Sequence, residues 1–173
     1  MRNRVVPTAL GVVVVLGAVA FVNAACSKDS AAAIATVAPP MAIKGAGPHV
    51  DGNHFTLDAI PADKCAAGAN CSVTIKLVAQ AEYHVNQQYP YKFIASQTPG
   101  VTFLGSDAAG PNIFTKTAGD FTIGDEKSAT MLVKFKAGQR GAVSIAGTFK
   151  LSVCSAQNCQ LEQQDVTVNV DVK

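Results

Sequence analysis

The chain contains no tryptophan, and only 15% of its 173 residues are charged. It carries no real surplus of either sign. The 14 Lys and Arg exceed the 12 Asp and Glu by two, and Arg2 and Arg4 account for that difference. Without a basic stripe the chain lacks the electrostatic footprint of a nucleic-acid binder, so no nucleic acid is expected as a partner. No calcium loop, phosphate-cradling glycine loop or serine-nucleophile elbow occurs, which leaves no basis for a conventional hydrolase. Histidine is scarce too. His49 and His54 are close in sequence and His84 is remote, a poor start for a ligand set, so no metal and no cofactor is expected. There is no internal repeat, and past the amino-terminal leader no stretch is a convincing amphipathic helix.

What is present begins with that leader. Arg2 and Arg4 precede an uncharged, mostly apolar run over residues 5–22, and small residues follow up to Cys26. This is the layout of a secretory signal over residues 1–25. A retained anchor is the rival, but eighteen residues is near the lower limit for crossing a bilayer, and Pro7 weakens the run as a helix. Ala24, Ala25 and Cys26 resemble a bacterial lipobox, in which the cysteine takes a diacylglycerol and becomes the first mature residue. Asn23 stands where an aliphatic residue is usual, and ordinary cleavage after Ala24 is the alternative. Lipidation of Cys26 would make the membrane a partner through the acyl chains, at about 0.8 kcal/mol per buried methylene. Ser27 lacks the aspartate that favours inner-membrane retention in some bacteria. The expected location is therefore the cell envelope, facing the periplasm, on the outer membrane.

Residues 26–48 read as a flexible linker, rich in Ala and Ser and interrupted by Pro39-Pro40. Residues 49–173 read as one folded domain. Val73, Ile75, Leu77 and Ala79 alternate with polar residues, as do Met131, Val133 and Phe135. Shorter alternations surround Phe55, Phe93, Val101 and Phe121. The longest covers residues 141–173, where Val143 to Val153 and Val166 to Val172 repeat every second position on either side of a short polar turn. A period of two is the signature of a half-buried strand. About seven to nine such strands, separated by Gly, Pro and Asn turns, predict an all-β, immunoglobulin-like antiparallel β-sandwich.

Five cysteines remain to be placed. With Cys26 set aside, the other four allow three pairings, and export favours closed bonds. Local closure, Cys65 with Cys71 and Cys154 with Cys159, is the most economical. The first pair reads as a structural disulfide in a loop of Ala, Gly and Asn, worth about 2 kcal/mol. The second lies at the tip of the carboxyl-terminal hairpin, on the outward parity of both strands. A bridge there closes a connection that is already short, where stabilisation is least. Neither cysteine has a basic neighbour in sequence. On spacing alone both a staple and a working redox couple stand.

Two segments carry a resemblance. One is Tyr83-His84-Val85-Asn86, leading through Tyr89-Pro90 to a strand; the other is Phe149 to Cys154, four residues, Cys159 and a last strand. Together they resemble the amino-terminal periplasmic domain of the thiol:disulfide interchange protein DsbD, often called the disulfide bond corrector domain. The resemblance implies an immunoglobulin-like fold. It also implies that Cys154 and Cys159 are the redox pair of a thiol–disulfide oxidoreductase module, with an exchange partner protein in the envelope. Gln160-Leu161-Glu162 stand where members of that family often have proline, and the transmembrane and thioredoxin-like parts of the full interchange protein have no counterpart here. The contrasting expectation is a non-catalytic immunoglobulin-like lipoprotein with two structural bridges that binds another envelope component.

Overall fold

A computed structural model describes residues 47–173. The leader over residues 1–25, Cys26 with its expected lipid, and residues 27–46 of the linker lie outside the described residues. Eleven strands follow in order: β1 His49–Asp51, β2 Phe55–Pro61, β3 Asn70–Ala79, β4 His84–Val85, β5 Lys92–Ala95, β6 Val101–Phe103, β7 Ile113–Thr115, β8 Phe121–Ile123, β9 Ser128–Ala137, β10 Gly141–Cys154 and β11 Cys159–Val172.

Period-two patterning dictates the long strands. Val73, Ile75 and Leu77 of β3, Met131, Val133 and Phe135 of β9, and Phe149, Leu151 and Val153 of β10 are almost fully buried, while the residues between them, apart from the buried Ser152, are partly or fully exposed. The strands form two antiparallel sheets. The first is ordered β1-β2-β3-β9-β6, with β8 also on β9; the second is ordered β11-β10-β5-β7, with β4 also on β10. Placing β2-β3-β9-β6 against β11-β10-β5 reproduces the four-plus-three strand arrangement of an immunoglobulin constant-type sandwich. The fold expected from the sequence is therefore present. The strand count rises to eleven because β1, β4 and β7 have only two or three residues each, too few to show a period.

With no tryptophan, phenylalanine and one tyrosine fill the centre. Tyr91 stacks on Phe121 at 4.0 Å between centroids, and both lie near Phe149. Burial pushes the Tyr91 hydroxyl's pKa up, and that hydroxyl donates to the Ser152 carbonyl at 2.6 Å. Gly147 sits in the core where the ring of Phe93 and the backbone of Ile94 occupy the space that a Cβ would need.

One aspartate departs from expectation. Asp120 reads in sequence as a turn residue, yet its side chain is fully buried. Its Oδ2 accepts from the Thr115 amide at 3.2 Å. Its Oδ1 has no well-aligned hydrogen bond, and its partner there is the Lys134 ammonium at 3.0 Å. Lys134, on the outward parity of β9, is the counter-ion of the core's one buried carboxylate among the described residues.

Two surface turns make the domain's stability depend on pH. Asp125 accepts from the amides of Lys127 and Ser128, both at 2.7 Å, and these bonds hold its carboxyl below the usual range. Asp107, capping Ala109 and bonded to Thr115, is lowered in the same way. A lowered folded pKa means that the unfolded chain binds more protons, so this stabilisation is present above the ordinary carboxylate pKa of about 4 and is lost as pH falls through the folded values. His49 works in the opposite direction. Bonds to Asp58 (2.6 Å) and Asp51 (3.1 Å) raise its pKa, so its contribution is complete below about 6.5 and disappears as pH rises through the folded value. Thermal melts should therefore show Asp125→Asn removing part of the loss below about pH 4, and His49→Gln removing part of the decline above about pH 6.5.

Candidate functional site

The hairpin of β10 and β11 is in register from Gly141 opposite Val172 to Cys154 opposite Cys159. Its turn is set by Ser155. The Ser155 amide donates to the Asn158 carbonyl at 2.8 Å, and the Ser155 hydroxyl accepts from the amides of Gln157 and Asn158, both at 3.2 Å. That closure makes Cys154 and Cys159 directly opposed, with Cα atoms 4.0 Å apart, the close approach of a non-hydrogen-bonded antiparallel pair. The two sulfurs are bonded.

The two halves of this bridge differ in access. Cys159 is exposed, whereas Cys154 is only 6% exposed. The sequence puts both on the outward parity, and the difference comes from β4, which pairs with the end of β10 on the side away from β11. Val85 lies opposite Val153, and His84 lies opposite Cys154. His84, Cys154 and Cys159 thus form a row across three adjacent strands on one face. Directly opposed residues of this kind have Cβ atoms about 4.5–5.5 Å apart. Neither cysteine has a basic neighbour in sequence; strand pairing supplies His84 from β4 of the same sheet.

The loop that carries His84 is strapped down. Lys127 Nζ donates to the carbonyls of Ala81 and Tyr83, both at 2.6 Å, and the Val85 amide donates to the Glu126 carbonyl. Tyr83 is buried, stacks on His54 at 3.9 Å, and donates its hydroxyl proton to Asn158 Oδ1 at 3.4 Å in the cysteine turn. Asn86 bonds Ser152 twice, amide to carbonyl and Nδ2 to Oγ, and its Nδ2 lies 4.0 Å from Cys159 Sγ. Beside this arrangement is an open polar pocket of about 510 Å³ lined by His84, Asn86, Gln87, Gln88 and Glu126.

The other bridge, Cys65–Cys71, has a different setting at the far end of β11. Both cysteines are buried, at 4% and 3% exposure. The Cys65 carbonyl accepts from the Lys173 amide and Ala67 donates back to the Lys173 carbonyl, so this bridge fastens a loop to the end of the last strand. A pocket of about 450 Å³ lies beside it, lined in part by Asp63, Lys64 and Lys173.

The histidines do not converge. His49 faces Asp51 and Asp58, His54 stacks on Tyr83, and His84 stands opposite Cys154. Among the described residues no group of three or more His, Cys, Asp or Glu is placed to hold a metal ion. What the hairpin tip can do is sulfur chemistry: an accessible sulfur joined to a shielded one, with an imidazole on the shielded side and a carboxamide on the accessible side.

Neither a protein-family model nor a curated protein matches this chain. Among solved structures it is similar to AggA, the major subunit of aggregative adherence fimbriae type I from Escherichia coli. The identity is 10%, the alignment covers 72% of this chain and 99% of that one, and the TM-score is 0.33. That likeness is too distant to carry anything from the fimbrial subunit to this chain.

Proposed function

We propose that the domain is a thiol–disulfide exchange module of the bacterial cell envelope, similar in role to the amino-terminal domain of the DsbD family, with Cys154 and Cys159 as its redox pair and Cys65–Cys71 as a structural bridge. The observation that carries this is the asymmetry of the hairpin bridge: Cys159 is open to solvent, while Cys154 is 6% exposed, with His84 of the flanking β4 opposite it. An incoming thiolate can reach only one of the two sulfurs.

The chemistry follows from that asymmetry. In the oxidised form a partner dithiol attacks Sγ of Cys159 as a thiolate. The Cys154–Cys159 bond breaks, a mixed disulfide forms between the partner and Cys159, and Cys154 leaves as a thiolate that takes up a proton on the His84 side. The partner's second thiolate then attacks its own first sulfur and releases Cys159. Two electrons and two protons have passed to the pair, and the partner has become a disulfide. Run in reverse, the reduced pair opens a disulfide in another exported polypeptide: Cys159 attacks, and Cys154 resolves. No cofactor takes part. A lipid on Cys26 would hold the module at the membrane surface, and the linker would give it reach.

The competing role, a non-catalytic envelope binder with two staples, requires both bridges to resist reduction. Equilibration in dithiol–disulfide buffers followed by thiol alkylation separates the two. Exchange predicts that Cys154–Cys159 opens at potentials above about −300 mV and that Cys65–Cys71 stays closed there. If both bridges remain closed down to that potential, the exchange role is lost.

A further inference from the structure

β11 is the edge strand of its sheet, and its free edge changes character along its length. The Ser155–Asn158 turn bond and the 4.0 Å Cα separation at Cys154–Cys159 make that pair non-hydrogen-bonded. Even-numbered residues of β11 therefore bond to β10, and odd-numbered residues direct their N–H and C=O away from it. Downstream these outward groups are used. Thr167 donates to the Gly47 carbonyl, Lys173 donates to Cys65, and Ala67 donates to the Lys173 carbonyl. Upstream, the outward amides of Cys159, Leu161, Gln163 and Asp165 have no backbone partner among the described residues.

An open edge of this kind invites another strand, and proteins normally blunt it with lysine, proline or a bulge. Residues 159–165 contain neither lysine nor proline, and the register with β10 runs through them without a bulge; their two charges are Glu162, on the inward parity, and Asp165, which accepts from the Thr148 hydroxyl. Leu161, on the same face as Cys159 and two residues on, is 68% exposed, more than either other exposed large apolar side chain among the described residues. The open edge begins at the accessible sulfur itself.

Resting on the exchange role proposed above, we infer that residues 159–165 dock an extended, cysteine-bearing segment of the disulfide-containing polypeptide by strand addition. Backbone bonds to the outward groups of Leu161 and Gln163 set the register. The partner's cysteine then lies opposite Cys159, and an apolar residue of the partner covers Leu161. Recognition of this kind is mostly through main-chain groups, so it accepts many sequences provided they are extended. That suits a module acting on unfolded or loosely folded chains.

The test uses Gln163→Pro. A proline at 163 removes one outward N–H and leaves the ladder to β10 intact, a substitution that edge strands tolerate. Leu161→Lys is the second variant; it blunts the edge without touching any backbone bond, should the proline variant fail to fold. The reduced domain is mixed with oxidised glutathione, and separately with an extended peptide bearing one cysteine as a mixed disulfide. The expected result for both variants is an unchanged rate with glutathione and a slower rate with the peptide, the drop being about fivefold or more for Gln163→Pro, the effect of losing one register-setting bond. Equal rates for wild type and both variants with the peptide would overturn the inference. So would a concentration-dependent dimer that Leu161→Lys dissolves, since a second copy would then occupy the edge. A binding readout keeps docking separate from chemistry: with the peptide's cysteine replaced by serine, hydrogen exchange at the Leu161 and Gln163 amides should slow. Failure of wild type to react with either disulfide, with that protection present, would remove the exchange role and leave the docking edge; absence of protection removes the edge.

Discussion

Cys154→Ser should capture exported polypeptides as stable mixed disulfides on Cys159, and Cys159→Ser should capture almost none. The reasoning is positional. Cys159 is the sulfur that a partner can reach, and Cys154 is shielded by β4. In the wild-type domain any mixed disulfide on Cys159 has a second thiol held beside it with its Cα at 4.0 Å, so resolution is intramolecular and fast. Serine at 154 removes the resolving sulfur but keeps its size and its place in the strand, and the mixed disulfide accumulates. An excess of roughly tenfold or more over wild type is expected from the loss of an intramolecular step. The reciprocal variant keeps only a sulfur at 6% exposure. Non-reducing gels of envelope extracts, with the captured bond mapped by mass spectrometry, provide the check. Equal capture by the two variants would mean that the shielding by β4 does not persist in solution.

The second large effect concerns stability. Lys134→Met should cost about 3–5 kcal/mol, because it leaves the fully buried Asp120 carboxylate without its counter-ion. Lys134 keeps 38% of its side chain exposed, so water can partly solvate the aspartate once the lysine is gone, which puts the expectation at the lower end of that range. The double change Asp120→Leu with Lys134→Met should recover only part of the loss, since apolar replacement removes the unpaired charge but leaves the buried Thr115 amide without the carboxylate that accepts from it. Urea melts of the three proteins decide this. A single-variant loss below about 1 kcal/mol would show that the pair behaves as an ordinary surface ion pair.

The parts of the fold written as long alternations were legible in the residues. Val73 to Ala79, Met131 to Phe135 and the hairpin through Val153 and Val172 each display period two over several residues, and each became a strand with that face inward. The cysteine pairings were legible as the most economical of the three possible, because each bridge joins cysteines close in sequence. β4 was not. Its two residues cannot show a period, and the Tyr83–Pro90 stretch reads as an interruption. Yet β4 shields Cys154 and brings His84 opposite it, through a pairing between segments far apart in the chain. The one local hint was Tyr83 and Val85 flanking His84, apolar and polar in turn. Asp120 was opaque for a related reason. A carboxylate between two glycine-rich or short elements looks like any turn residue, and only the approach of Lys134 from β9 explains why it is buried. The stretch from Cys159 to Asp165 shows the opposite case. Gln160, Glu162 and Gln164 hold the inward parity without being apolar, and the sandwich is correspondingly open there.

The most direct test is the reduction of the two bridges in one sample, followed by separate alkylation of Cys154 and Cys159 and of Cys65 and Cys71 across a series of redox buffers. A working couple at the hairpin tip beside a staple at the far end of β11 predicts two well-separated transitions, the tip opening above about −300 mV and the other below it. A single shared transition, or a tip bridge that opens only under stronger reduction than its partner, would contradict the account.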